Sequence, residues 1–285
     1  MPSPASPVSY VKGTVVSPDG TTIGYRQMGT GPGVILVHGG MKSSQDFMKL
    51  AALLATTFTV YVPDRRGRGL SGPHGEPFSV QREVEDLQAL VATTRARYVF
   101  GLSSGALVVL RASLATPAIE RVAVYEPPLS IDGSAPTGWV PRYARQLAEG
   151  KLASAVVTAM HGIGTEPLFS RFPRLMLVPF MALILRFQRA HGDDVTIRAL
   201  VPTQRFDMQV VAEMSDTLGE YASLQTPVLL LGGSKSPAFL HTALERLRAT
   251  LPQAEQITFP GLGHDGPEDD GRPDLVANEL RRFFS

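Results

Sequence analysis

The sequence predicts an α/β protein built on a mostly parallel, eight-stranded sheet, with helices on both faces and a helical cap inserted after the sixth strand. Short runs of β-branched and aromatic residues alternate with helical patterns through the first half of the chain. The middle runs, V-I-L-V, V-Y-V, Y-V-F and V-A-V-Y, are unbroken and apolar, as expected for parallel strands covered on both faces. This alternation is typical of strands joined by crossover helices.

Each element follows from a local pattern. Short β-rich runs place the strands at residues 13–16, 22–26, 33–37, 58–62, 98–101, 122–125, 228–233 and 256–259. Apolar side chains at helical spacing mark the core-facing sides of three helices. These are Val80, Val84, Leu87, Leu90 and Val91, then Leu240, Leu244, Leu247 and Leu251, and finally Leu275, Val276, Leu280 and Phe283.

The alternation of strands and helices is interrupted in the middle of the chain. It stops near residue 129 and resumes near residue 227, and the stretch between has helical periodicity without a convincing strand. We therefore predict that residues 1–129 and 223–285 are the two parts of one core domain. Residues 130–222 are predicted to form a helical cap over the sheet.

Composition narrows the functional classes. The chain has 285 residues, of which 44% are hydrophobic, so it can bury a large core. Its 27 basic and 26 acidic residues do not favour nucleic acid or an anionic membrane as a partner, and the absence of cysteine excludes disulfides and thiol catalysis. The first residues do not resemble a secretory signal, and the apolar run at 175–185 is short of the roughly 20 residues that cross a bilayer. We expect a cytoplasmic protein.

The strongest chemical signal is the sequence G-L-S-S-G at residues 101–105. It directly follows the strand Y-V-F and opens an apolar helix. Glycines on both sides of Ser103 permit a tight turn that lifts the serine hydroxyl above the sheet, as in a nucleophile elbow. The alternative is that the motif only makes a tight strand-to-helix connection.

A serine nucleophile needs a base, and the chain has six histidines. His264 follows the last predicted strand within G-L-G-H-D-G, so we predict that it is the base. His38 also follows a strand but precedes two glycines, which fits a loop role better. The others have no strand-end context and are interpreted as exposed or packed side chains, namely His74, His161, His191 and His241.

Together these motifs resemble the α/β-hydrolase superfamily. The resemblance rests on H-G-G after the third strand, D-R-R-G-R-G-L-S after the fourth, G-L-S-S-G after the fifth and G-L-G-H-D-G after the eighth. It implies an α/β-hydrolase fold, a Ser103 nucleophile and a His264 base. It also implies that Asp64 and Arg65 hold their own loop rather than contact substrate.

The resemblance further implies an oxyanion hole, which holds the negative charge that develops on a substrate carbonyl. One donor is the backbone N–H of Ser104, the residue after the nucleophile. The second comes from the loop after the third strand, where Gly40 is our choice and Met41 is the alternative shifted by one residue. The alternative is that Gly39 and Gly40 only end the third strand and have no role in catalysis.

The acid that orients the histidine is missing from its usual place. Family members commonly carry an aspartate after the seventh strand, where this chain has Ser236. We predict that Glu126, at the end of the sixth strand, replaces it, because neighbouring strand ends can reach the same imidazole. Asp265, Asp132 and a dyad without an acid remain alternatives. A serine elbow combined with a glutamate after strand six is similar to zearalenone-type lactone hydrolases.

The insertion suggests what binds above Ser103. Its apolar run at 175–185, with Trp139 and Phe169, could line a pocket for an apolar substrate. We name Met41, Trp139 and Phe180 as candidate substrate-binding residues. The alternative is that these side chains only pack the cap against itself and the sheet.

The sequence therefore predicts a serine hydrolase that cleaves a carboxylic ester or lactone with a bulky apolar part, without metal or cofactor. A carbon–carbon bond hydrolase, or an enzyme of acyl transfer or cyclisation, would use the same serine and histidine. A ligand receptor without turnover is the alternative from another class. The expected partner is a small molecule, with no nucleic acid or membrane, and a homodimer is left open.

Overall fold

The computed structural model describes residues 9–165 and 172–285. In these residues eight strands form one sheet in the order β1-β2-β4-β3-β5-β6-β7-β8, which confirms the predicted sheet. The pairs β1–β2 and β2–β4 are antiparallel, and the other neighbours are parallel. The strands are Val11–Val16 (β1), Thr22–Met28 (β2), Gly33–Val37 (β3), Thr59–Pro63 (β4), Tyr98–Leu102 (β5), Arg121–Tyr125 (β6), Val228–Gly233 (β7) and Glu255–Phe259 (β8).

The α-helices alternate with the strands in the first part of the chain and cluster between β6 and β7. Those of the core are Met48–Leu54 (α1), Val80–Thr94 (α2), Ser104–Ser113 (α3), Ala238–Thr250 (α9) and Pro273–Phe284 (α10). Those between β6 and β7 are Val140–Ala148 (α4), Leu152–Ile163 (α5), Arg174–Phe187 (α6), Ile197–Leu200 (α7) and Gln204–Glu213 (α8). None of the described helices is long and apolar enough to cross a membrane.

Helices cover both faces of the sheet, which explains the unbroken apolar strands. On one face α2, α3 and α9 contribute buried side chains such as Leu87, Leu107 and Leu244. On the other face α1 and α10 contribute Leu54 and Leu280. Because both faces are covered, the free parts of the sheet are its edges and the loops at the carboxyl ends of its strands.

The helices between β6 and β7 all lie within the predicted cap, residues 130–222. Helices α4, α5 and α6 share an apolar cluster of their own, whereas α8 packs against α3 of the core. Helix α6 buries Leu177, Met181 and Leu185 at helical spacing and exposes Phe180, which is 52% accessible. Helix α8 is therefore the helix of this stretch that packs against a helix of the sheet.

Candidate active site

Ser103 lies in a tight turn between β5 and α3. Its backbone has φ 55° and ψ −127°, a conformation that non-glycine residues rarely adopt. The flanking glycines allow close packing, since a Cβ atom on Gly101 would lie 2.7 Å from the Cα of Ala106, and one on Gly105 would lie 2.4 Å from the carbonyl oxygen of His38. The turn holds Ser103 half-buried at the carboxyl end of the sheet.

His264 and Glu126 meet at the same end of the sheet. The Nδ1 atom of His264 lies 2.7 Å from Oε2 of Glu126, and the backbone N–H of Gly233 donates to Oε1 at 2.6 Å. Glu126 is fully buried, follows β6 directly and has a positive φ of 48°. A carboxylate bound to Nδ1–H leaves Nε2 of the imidazole free to accept a proton.

The other candidate acids, Asp265 and Asp132, make no hydrogen bond to His264 among the described contacts. Among the described residues, Glu126 is the one acid that hydrogen-bonds to the imidazole. The backbone N–H of Asp132 donates to Asp216 in a turn of the insertion, and the Oγ atom of Ser236 is buried without a hydrogen bond. The position after β7 thus supplies no polar partner to the imidazole.

A tyrosine holds the loop that carries His264. The hydroxyl of Tyr125, the last residue of β6, donates to the carbonyl oxygen of Gly263 at 2.7 Å. Gly266 lies against the same hydroxyl, since a Cβ atom there would be 2.5 Å from it. Burial, then the negative charges of Glu126 and Asp265, raises the pKa of Tyr125, which therefore stays a neutral donor.

One pocket brings the predicted nucleophile, base and oxyanion donors together. Ser103, His264, Gly40 and Ser104 line a space of about 470 Å³, its open mouth included. Among the described hydrogen bonds none is made by Ser103 Oγ, and none by the N–H of Gly40 or Ser104. Ser104 begins α3, so its N–H has no acceptor within the helix.

A buried ionic network, which we call the oxyanion-side network, lies beside these donors. It consists of Arg65, Arg68, Glu83, Ser104 and Asp207, and all five are buried. Oδ1 of Asp207 accepts from Ser104 Oγ and from Arg65, each at 2.8 Å, and Oδ2 accepts from Arg68 at 2.6 Å. Two guanidinium nitrogens of Arg65 also donate to Glu83, at 2.5 and 2.9 Å.

The charges of this network stabilise one another. Burial alone would raise the pKa of Asp207, but Arg68 and Arg65 outweigh it and hold that pKa well below its usual range. Burial likewise opposes the charge of Arg65, yet Glu83 and Asp207 raise the pKa of its guanidinium. The carboxylate of Asp207 and the guanidinium of Arg65 therefore stay charged around neutral pH.

His38 belongs to the same region and has a structural role. Its Nε2 accepts from the backbone N–H of Arg65 at 3.1 Å, so Nδ1 donates to the carbonyl of Gly39 at 2.9 Å. Burial, with Arg68 and Arg65 nearby, holds the pKa of this imidazole well below its usual value. His38 is thus a neutral side chain that ties the loop after β3 to the loop after β4.

The predicted substrate-binding residues have different fates. Trp139 lines the pocket. Phe180 does not line the pocket, because it lies on the exposed side of α6. Met41 packs instead against the apolar cluster that α4, α5 and α6 share. Phe169 lies outside the described residues.

Helix α8 supplies a pocket wall that the sequence analysis missed. Gln204, Asp207, Met208 and Val211 all line the pocket, at the spacing of one helical face. That spacing was readable in the sequence, but it does not say which part of the core the face covers. Within residues 9–165 and 172–285 no group of three or more His, Cys, Asp or Glu side chains is placed to hold a metal ion.

Comparisons with known proteins agree with this architecture. Residues 34–279 match a family described as "Alpha/beta hydrolase family". An alpha/beta hydrolase from Sphaerobacter thermophilus superimposes with a TM-score of 0.76 at 34% identity, covering 96% of this chain and 100% of that one.

Two curated relatives extend the comparison. The uncharacterized hydrolase YraK of Bacillus subtilis is 36% identical over 121 residues, which are 41% of this chain and 44% of that protein. The pimeloyl-[acyl-carrier protein] methyl ester esterase of Xanthomonas campestris is 25% identical over 267 residues, which are 90% of this chain and 97% of that protein.

Proposed function

The chain belongs to the alpha/beta hydrolase family, and from that premise we propose that it is a serine hydrolase of carboxylic esters or lactones. The observation that carries the proposal is the contact between Glu126 and His264 in the pocket that Ser103 also lines. Nucleophile, base and orienting acid are the parts that acyl transfer by a serine requires.

The reaction begins with a proton transfer. His264 takes the hydroxyl proton of Ser103 on Nε2, while Glu126 fixes the tautomer and stabilises the charged imidazolium. Ser103 Oγ attacks the substrate carbonyl carbon, and the N–H groups of Gly40 and Ser104 hold the resulting oxyanion. His264 then returns the proton to the departing alkoxide, which leaves an acyl group on Ser103.

Water completes the cycle. His264 deprotonates a water molecule, whose oxygen attacks the acyl carbon, and collapse of the second oxyanion releases the carboxylic acid and restores Ser103. In a lactone the leaving alkoxide stays attached to the acyl group, so the product is one hydroxy acid. Within residues 9–165 and 172–285 no hydrogen bond is made by Ser103 Oγ, which fits a contact to His264 that tightens when substrate binds.

The pocket walls support an apolar substrate. Besides the reacting groups, most of the lining is apolar, including Pro128, Ile163, Val211, Phe239 and Leu240. Residues 130–222 act as the cap in this proposal, because Trp139 and α8 close the pocket from that side. The proximity of Glu126 to His264 also favours an enzyme over a ligand receptor without turnover. The receptor hypothesis was supported only by the absence of an acid after the seventh strand, and Glu126 supplies that acid in this proposal.

The test is a substrate panel. We expect the protein to hydrolyse p-nitrophenyl esters and lactones. The Ser103→Ala variant should hydrolyse neither, while its circular dichroism spectrum shows that it is folded. If the protein hydrolyses β-diketones but no ester or lactone, carbon–carbon bond hydrolysis replaces the proposed function. If the protein hydrolyses no compound of the panel, the proposed function is wrong.

A further inference from the structure

The side-chain amide of Gln204 lies against Gly40, in the loop after β3. Gln204 is the first residue of α8, lines the pocket and is only 4% accessible. A Cβ atom on Gly40 would lie 2.7 Å from its Oε1. The cap therefore presents a polar group next to the residue that is to bind the substrate carbonyl oxygen.

Among the residues that the structure describes, this amide has no hydrogen-bond partner. Its Oε1 is buried without a hydrogen bond, and the hydrogen bonds of the described residues include none from its nitrogen. Asp207, which lies against the same glycine, is already engaged by Ser104, Arg65 and Arg68 and has no proton to give. Buried polar groups are normally paired, so an unpaired amide facing a pocket points to a ligand group that pairs with it.

The chemistry of that ligand group follows from the amide. A side-chain amide offers one acceptor and one donor atom, and either can face the pocket after a flip of the group. A hydroxyl both donates and accepts, so it complements the amide in either orientation. The other walls are largely apolar, which leaves the rest of the ligand apolar.

We propose that Gln204 forms a hydroxyl-binding subsite, and that the preferred substrates are esters or lactones with a hydroxyl on the α or the β carbon of the acyl group. The position follows because the amide adjoins Gly40, whose N–H is to hold the carbonyl oxygen. The amide lies on one side of that oxygen, so one enantiomer of the hydroxylated substrate is favoured. This inference rests on the proposed function for the placement of the carbonyl.

The catalytic test uses a matched pair of substrates, p-nitrophenyl butanoate and each enantiomer of p-nitrophenyl β-hydroxybutanoate. The measured quantity is the ratio of kcat/KM for the hydroxylated ester to that for the plain ester. We expect Gln204→Met, which keeps the size of the side chain, to lower this ratio about tenfold for one enantiomer. An unchanged ratio in the folded variant would overturn the inference.

Gln209→Met is the matched control. It makes the same chemical change on the same helix, but the amide of Gln209 already donates to Phe78 and Glu213 and does not line the pocket. We expect its ratio to equal that of the unmodified protein. A fall equal to that of Gln204→Met would assign the effect to the helix rather than to the subsite and would also overturn the inference.

A binding measurement separates this inference from the proposed function. In Ser103→Ala protein, calorimetric titration compares ethyl β-hydroxybutanoate with ethyl butanoate. A roughly tenfold tighter binding of the hydroxylated ester, lost in Ser103→Ala with Gln204→Met, supports the subsite even if no ester is hydrolysed. Equal binding of the two esters, or binding of neither, would overturn it even if the unmodified enzyme hydrolyses plain esters.

Discussion

The two sides of Ser103 are built differently. On the base side one carboxylate, Glu126, holds one imidazole, His264, and the imidazole keeps a free nitrogen. On the other side the oxyanion-side network joins two arginines, two acids and Ser104 with hydrogen bonds between buried atoms. The proposed function accounts for this difference, because a base must exchange a proton, whereas backbone oxyanion donors act only if they are held in place.

The two sides also differ in how their charges respond to pH. The carboxylate of Asp207 stays ionised because Arg68 and Arg65 outweigh the effect of burial on its pKa. In the loop that carries His264, burial raises the pKa of Glu268 to about 7, although Lys42 beside it acts in the opposite direction. The base side is therefore the side whose charge changes near neutral pH.

The largest effect on activity is expected from Glu126→Gln. An amide in place of the carboxylate fails to stabilise the imidazolium and can favour the wrong tautomer, so kcat should fall by about 10³–10⁴. Steady-state kinetics on the best ester of the panel measures this. Ser236→Ala, at the usual position of the family acid, is the control and should change kcat less than about twofold. The reverse pattern would show that the acid is wrongly assigned.

Asp207→Ala should have the largest effect on stability. It leaves Arg65 and Arg68 buried with too little negative charge, which costs about 3–5 kcal/mol in the free energy of unfolding. Urea denaturation measures it. The control is Glu220→Ala, which removes the ion pair between Glu220 and Arg111. Both side chains of that pair are partly exposed, at 48% and 34% accessible, so its loss should cost below about 1 kcal/mol. Equal losses in the two variants would contradict a special role for the oxyanion-side network.

Glu268 should make stability depend on pH. Its pKa rises from an ordinary 4.5 to about 7 on folding, so the folded protein binds the proton more tightly. The unfolding free energy should therefore fall as pH rises from about 4.5 to 7, by about 3 kcal/mol for this group, and stay level below and above that window.

The measurement is the difference in unfolding free energy between the unmodified protein and Glu268→Gln across this pH range. Other titrating groups cancel in the difference, and glutamine resembles the protonated carboxyl. The two proteins should therefore be about equally stable at pH 4.5, and the unmodified protein should be about 3 kcal/mol less stable than the variant at pH 7. A difference that does not vary with pH would show that Glu268 titrates normally.

Tyr125→Phe tests the smallest effect, the anchoring of the His264 loop. Loss of the hydrogen bond to Gly263 should cost about 1 kcal/mol of stability and lower kcat several-fold while KM changes little. Tyr143→Phe is the matched control, since this buried tyrosine donates to Val201 within the cap and does not line the pocket. It should lose similar stability but keep kcat. If kcat falls in both variants, the fall reflects a general loss of stability and not the anchoring of the His264 loop.

The sequence predicted the base side better than the oxyanion side for a physical reason. Ser103 and Glu126 directly follow strands, and His264 lies in the loop after β8. The ends of parallel strands meet at one edge of a sheet, so local patterns suffice to bring these residues together. Asp207 and Gln204 lie in a helix whose contact with the core depends on tertiary packing. A helical pattern identifies an apolar face but not the surface that it covers.

Helix α6 shows the same limit from the other direction. Its run of apolar residues suggested Phe180 as a pocket residue, yet the helix buries Leu177, Met181 and Leu185 against the cap and turns Phe180 outward. A helix that is apolar on nearly all sides carries no periodic signal to show which side faces the core.

Covalent labelling tests the central claim most directly. A fluorophosphonate reacts with a serine whose hydroxyl is activated by a base, and tryptic mass spectrometry locates the adduct. We predict one adduct, on the peptide that contains Ser103, which disappears in Ser103→Ala and forms far more slowly in His264→Ala. Folded protein that is not labelled, or that is labelled at another residue, would contradict the account.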